Sequence, residues 1–270
     1  MSVQGKENVF DTKESESASL RNRWPFYAAV ALAALIFIGI FGVMEPILPH
    51  IVTGWLAREN AQHHFHDVTF SALVWVVLIG LLIQVWNPRE RLAALQQSIL
   101  IVVLLNVVVL MTFKVFPPPL VMLLAVLLVS GLHPARNKLF RLDGFNGYLA
   151  VLVLLAAIPA IVLAINQIGL QLQGSAGDPH AEVGHSALMA VYGLSIPVTA
   201  LLSSLRSSGW RFPAWSSGGL AILYGAAAIV MASLETSPGP LWGVLTVIWG
   251  VVFIITAEFT NKPKPIASNQ

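Results

Sequence analysis

The chain has 270 residues, 56% of them hydrophobic and only 10% charged, with a formal charge of +2. With a mean hydropathy of +0.76, this composition excludes an ordinary soluble domain and assigns the chain to a lipid bilayer. A pI near 9.0 does not make it a nucleic-acid binder, because its basic residues are scattered among short connections instead of gathered in one patch.

Residues 1–24 are polar and mixed in charge, with acids at Glu7, Asp11, Glu14 and Glu16, so they lack the basic start of a signal peptide. They read as a mobile cytoplasmic N-terminal tail, and 261–270 as a cytoplasmic C-terminal one. Between them lie eight apolar runs, at about 25–44, 68–87, 97–113, 118–133, 147–169, 186–206, 217–235 and 240–260, most of them close to the roughly 20 residues a helix needs to cross the hydrocarbon. The third and fourth are short. They stay separate because one merged helix would carry Lys114 and Pro117-Pro118-Pro119 into mid-membrane, burying a charge and breaking backbone hydrogen bonds. Pro159 and Pro197 predict local kinks in the fifth and sixth spans. Asn106, Asn166, Gln167, Tyr192, Ser195, Thr199 and Tyr224 are polar residues within or bordering spans, expected to hydrogen-bond between helices or to backbone.

Lysine and arginine set the expected orientation. With both termini cytoplasmic, thirteen of the fifteen basic residues fall inside and only Arg58 and Lys114 outside. Six of the thirteen acids then share the outer side with those two bases, so the outer face of this plasma-membrane protein is acidic.

A tandem repeat is legible at an offset of about 121 residues. Tyr27-Ala-Ala-Val-Ala-Leu resembles Tyr148-Leu-Ala-Val-Leu-Val and Pro117-Pro118-Pro119-Leu120 matches Pro238-Gly239-Pro240-Leu241 at that offset, while between these anchors Ser71-Ala72-Leu73 matches Ser186-Ala187-Leu188 at an offset of 115. The fold class expected is therefore an all-α polytopic membrane bundle of two four-helix units, 25–146 and 147–260. An even number of spans per unit makes the repeat a parallel one, about an axis along the membrane normal.

Six of the seven histidines sit in two connections, Glu45–Asp67 and Gln171–His185, both on the expected outer side. The absence of cysteine removes thiolate ligands, cysteine nucleophiles and covalent c-type haem attachment, so any metal here must use imidazole, carboxylate or backbone. At the second span the chain reads Gln62-His63-His64-Phe65-His66-Asp67, and before the sixth Asp178-Pro179-His180-Ala181-Glu182-Val183-Gly184-His185. His63 and Asp67 are an i, i+4 pair on one helix face, as are Asp178 and Glu182 if that helix begins early enough. Imidazole with carboxylate suits Zn, Cu(II), Mn or Fe. The expected ligands are His63, His66, Asp67, Glu182 and His185, with His64, Asp178 and His180 in reserve. The bland reading stands beside this one: His, Asp and Glu are ordinary residues at a solvated helix start, and no spacing here is diagnostic. Glu45 and Glu235 close helix ends on the same side; Glu235 and Lys114 read first as a snorkelling surface pair, with a pairing across the pseudo-axis as the alternative.

Three function classes remain open on the sequence. One is a metal-binding membrane protein or enzyme, with a bis-His haem b between His66 and His185 as its variant. Another is a transporter of a neutral small molecule, since no span carries a central charge. The third is an accessory subunit of a larger membrane complex. The lipid bilayer is the one certain partner expected; copies of this chain or other membrane subunits are the open ones.

Overall fold

The computed structural model describes residues 23–56, 61–112, 117–141, 143–174, 184–234 and 237–261. Among them no strand occurs. Helix α1 (Trp24–Ile38) starts with Pro25 in its first turn and runs on as a π-helical stretch, Gly39–Met44, until Pro46 and Pro49 stop it. There follow α2 (His50–Thr53), α3 (Ala61–Leu82), α4 (Leu92–Thr112), α5 (Pro117–Leu132), α6 (Gly147–Gln173), α7 (His185–Ser204), α8 (Arg211–Val230) and α9 (Pro240–Thr260). Seven of these segments are long and apolar enough to cross a membrane, and α5 is a shorter apolar helix beside them.

Several helix starts differ from the apolar runs. Helix α3 begins at Ala61 where the apolar run begins at 68, α4 at Leu92 in place of 97, and α8 at Arg211 in place of 217. Hydropathy marks where a helix enters an apolar medium, whereas the helix itself continues until a residue breaks it. His63–Asp67 therefore lies in the first two turns of a helix, not in a connection. Pro159 and Pro197 leave α6 and α7 assigned as single helices.

Helices α3, α4, α7 and α8 pack in a ring in which each touches the next. They are the buried ones: 67%, 61%, 72% and 61% of their apolar windows are inside, against 39% for α1 and 22% for both α6 and α9. On one flank α1 and α5 lie against each other and against α3 and α4; on the other, α6 lies along α7 and α9 along α8, while α6 and α9 touch only lightly. The exposed sides of α6 and α9 are apolar, with Leu154, Ile158, Ile165, Leu245, Ile248 and Ile255 all outward, as surfaces facing lipid must be.

Two pairs of glycines set the α8/α9 contact. A Cβ on Gly250 would lie 2.6 Å from the Gly218 carbonyl oxygen, and one on Gly243 would lie 2.7 Å from that of Gly225. The two helices are antiparallel and each carries its glycines seven residues apart, so both crossings fall on one face. At the end opposite the histidines, Asn146 caps α6 by accepting from the Tyr148 and Leu149 amides at 3.2 and 3.4 Å. Its amide donates to Thr260 Oγ1 and Asn261 Oδ1, both at 2.7 Å, while Asn261 donates to the Ser203 carbonyl and Arg206 donates to Asn261 Oδ1. One network thus ties the start of α6 to the ends of α7 and α9. At the same end His133 follows α5, its ring edge-on to Phe26 at 5.1 Å and its Nδ1 accepting from the Ala135 amide.

Two outcomes follow from this packing. Gly225→Val drives a branched side chain into the Gly243 backbone and should destabilise the protein by about 3 kcal/mol or more, whereas Gly219→Ala, which meets nothing within 4 Å, should be neutral; thermal melting in detergent separates them. Burial lowers the His133 imidazole to about 4, against the opposing pull of the Pro88 carbonyl. The native state then refuses a proton that the unfolded chain takes up near 6.5, so the stability from neutral His133 is intact above about 6.5 and is lost as pH falls toward about 4. Melting temperatures compared at neutral pH and near pH 5 should show this loss, and His133→Gln should reduce it.

Candidate histidine and carboxylate site

Helices α3 and α7 start at the same end of the bundle and run side by side, which brings their first turns together. His63 Nδ1 lies 3.0 Å from His185 Nδ1, with ring centroids 4.8 Å apart. The His66 ring packs on His185 at 5.1 Å. Asp67 stands one turn beyond His63, its Oδ1 4.0 Å from His185 Nε2 and its Oδ2 3.9 Å from His50 Nδ1. These last two are ion-pair separations, too long for hydrogen bonds. The four groups form a chain, His50, Asp67, His185, His63, in which His185 faces a different partner with each nitrogen.

Each member is positioned by its own backbone ties. His185 is the first residue of α7, set by Gly184, whose φ of 74° is the left-handed geometry glycine tolerates. The Ala187 amide, unsatisfied within the first turn of α7, donates to Gln171 Oε1 at the end of α6 at 3.2 Å. Thr69 donates to the Phe65 carbonyl at 2.7 Å and faces Met189 Sδ at 3.3 Å, which pins α3 to α7 one turn deeper. His50 is carried by α2, strapped onto α3 by Ser71, whose hydroxyl donates to the Leu48 carbonyl and accepts from the Ile51 amide, each at 3.1 Å. Trp75 Nε1 donates to the same Leu48 carbonyl at 2.9 Å. Gly54 lets α2 come this close: a Cβ there would meet the Val68 side chain at 2.5 Å.

Of the expected ligands, the fold brings His63, His66, Asp67 and His185 together. Glu182 lies outside the described residues, as do Asp178 and His180 of the reserve set and the Glu235 and Lys114 pair. His64 is buried on α3. His50 joins the site unexpectedly. Its place beside Asp67 depends on how α2 folds back over α3, and no linear spacing signals it. Among the described residues no group of three or more His or acid side chains could hold a metal ion. The donors diverge around the His185 ring: His63 meets one nitrogen and Asp67 the other, so they do not converge on a point. The His66 and His185 rings are in direct contact, which leaves no room for a porphyrin between them.

The intramembrane polar residues divide. Asn106 donates to the Val102 and Pro119 carbonyls, Tyr192 to Leu220, Ser195 to Val191 and Thr199 to Ser195. Asn166, Gln167 and Tyr224 make no such bond among the described residues, contrary to expectation. Asn166 and Tyr224 line a cavity of about 670 Å³ between α6 and α9; Tyr224 packs its ring on Phe65 and Tyr192 without a hydrogen bond to either.

No family model matches this chain, and neither a curated protein nor a solved structure is detectably similar to it.

Removing the Ser71 hydroxyl tests how His50 is held. Ser71→Ala leaves the Ile51 amide unsatisfied and should cost about 1–3 kcal/mol. Hydrogen exchange should accelerate at residues 48–54 while the second half of α3 keeps its protection.

Proposed function

We propose that this chain is a multi-pass plasma-membrane protein with both termini in the cytoplasm, whose extracytoplasmic face binds a divalent transition-metal ion. The observation that carries the reading is the His63/His185 pair backed by Asp67. Two nitrogens 3.0 Å apart are near the separation required of cis ligands on one ion, with metal–nitrogen bonds of about 2.0–2.1 Å. Asp67 on the far nitrogen of His185 is the outer-shell carboxylate that orients a ligating imidazole and raises its basicity. Asp67 therefore orients His185 in this reading and does not bind the ion itself. His66 packs beside His185, and Glu182, three residues before His185 in the chain, is the acid the sequence offers to complete the set.

The orientation rests on the thirteen-to-two distribution of basic residues. The reading of two parallel four-helix units rests on the repeated segments and on recurring neighbours. Helix α4 packs on α7 as α8 packs on α3, and α1, α5 and their inner partners correspond to α6, α9 and theirs. The unit axis then passes between α3 and α7, where the two histidine-bearing starts meet.

Elemental analysis of purified protein, with an absorption spectrum and calorimetric titration of Zn²⁺, Cu²⁺ and Mn²⁺, tests the site. Wild-type protein should retain about one ion per chain and the His63→Ala/His185→Ala variant none. Asp67→Asn should bind about 10–100-fold more weakly. Sub-stoichiometric metal unchanged by the double substitution would sink the reading.

A further inference from the structure

A cavity lies away from the histidines, on the flank where α6 and α9 part. It encloses about 670 Å³, within the roughly 300–1,000 Å³ typical of small-molecule sites. Its floor is made by α7 and α8 through Gly193, Ile196, Ala221 and Tyr224. Its walls are the two least buried spans, so it opens sideways toward lipid. Toward the opposite end the walls close, where Trp249 Nε1 donates to the Leu152 carbonyl at 3.0 Å.

This cavity is not the ordinary looseness of a helical bundle. The corresponding flank around α1 and α5 has a small space of about 20 Å³, bordered by Phe37, Phe41, Phe70 and Met122. One half of the chain fills its cleft with phenylalanine and the other half leaves it open.

The lining describes the occupant. None of the described lining residues is charged, which excludes an ionic head group at this depth. Tyr224 is only 8% exposed, and its hydroxyl is neither hydrogen-bonded within the described residues nor among the sealed-off polar atoms. Tyr224 lines the cavity, and a hydroxyl without a partner among the described residues is available to an occupant that can accept from it. Asn166 adds an unengaged amide toward the histidine end, while the Thr246 hydroxyl donates to its own helix at the Trp242 carbonyl. Trp242, Trp249 and Tyr224 supply flat aromatic surface, and the rest is aliphatic. A neutral ligand with a planar ring, a carbonyl to accept from Tyr224 and an apolar tail matches all of these features. An acyl chain uses neither the donor nor the aromatic faces.

We propose that this cleft is a binding site for an isoprenoid quinone, entering from the bilayer between α6 and α9 with a ring carbonyl accepting from Tyr224. The proposal is independent of the metal reading, since none of its residues belongs to the histidine site.

Decylubiquinone titrated into purified protein in phosphatidylcholine nanodiscs, followed by quenching of tryptophan fluorescence, tests it. Saturable quenching is expected, weakened about three- to tenfold in Tyr224→Phe by the loss of one hydrogen bond. Ala156→Leu, which fills the cleft from its α6 wall, should abolish saturation while keeping the wild-type melting temperature and far-ultraviolet circular dichroism. Non-saturating quenching, or the same midpoint in wild type, Tyr224→Phe and Ala156→Leu, would overturn the assignment. So would a phospholipid that native mass spectrometry finds retained by wild type and lost in Ala156→Leu, and that decylubiquinone does not displace.

Discussion

Helices α6 and α9 are each fastened to an inner helix more firmly than to one another, and the shape of their flank follows from that constraint. Between α8 and α9 the backbones meet at Gly218 with Gly250 and at Gly225 with Gly243. In an apolar solvent such contact is favoured by dispersion and by closely spaced backbones, not by expulsion of water. Gly193 plays a related part between α7 and α6, since a Cβ there would meet the Leu163 side chain at 2.9 Å. With α9 held to α8 and α6 to α7, neither can close fully on the other. The cleft between them is the geometric remainder of two tight pairings.

Polar chemistry is confined mainly to the two ends of the bundle, and the ends do different things. At one, Asn146, Asn261 and Arg206 hydrogen-bond to each other and to backbone groups where α6, α7 and α9 meet. At the other, imidazoles and a carboxylate are packed within ion-pair distance and held by backbone ties from α2, α3, α6 and α7. The first arrangement is a closed lock. The second keeps its titratable groups half-buried, with Asp67 and His185 side chains 22% and 15% exposed, and so stays within reach of ions and protons. Phe65 connects this end to the cleft: it neighbours His64 and His66 in the chain and meets the Tyr224 ring at 5.3 Å.

Much of the histidine site was legible because it is local. The i, i+4 spacing of His63 and Asp67 predicts a shared helix face, and both do address His185. The pairing of this segment with His185 was suggested by the repeated segments, which imply equivalent places for the two helix starts. His50 was not legible, because its position depends on the Gly54 contact and the Ser71 strap. The glycine seam was equally hidden: Gly218, Gly225, Gly243 and Gly250 look like scattered glycines until two antiparallel helices align them. Asn166 and Tyr224 make no interhelical hydrogen bond among the described residues, since contact between helices does not by itself bring a donor onto an acceptor.

By itself the sequence determined the medium, the helical class, and the approximate places where the chain crosses from polar to apolar, because those are properties of composition summed over 20 or so neighbouring residues. Charge distribution supplied an orientation and the histidine pattern a candidate site on the same basis. Only the tertiary structure decided which helices form the inner ring, which nitrogen of His185 faces which partner, and that one flank is open while its counterpart is filled. Those features depend on contacts between residues far apart in the chain, where a few tenths of an ångström at a glycine determine whether two helices touch.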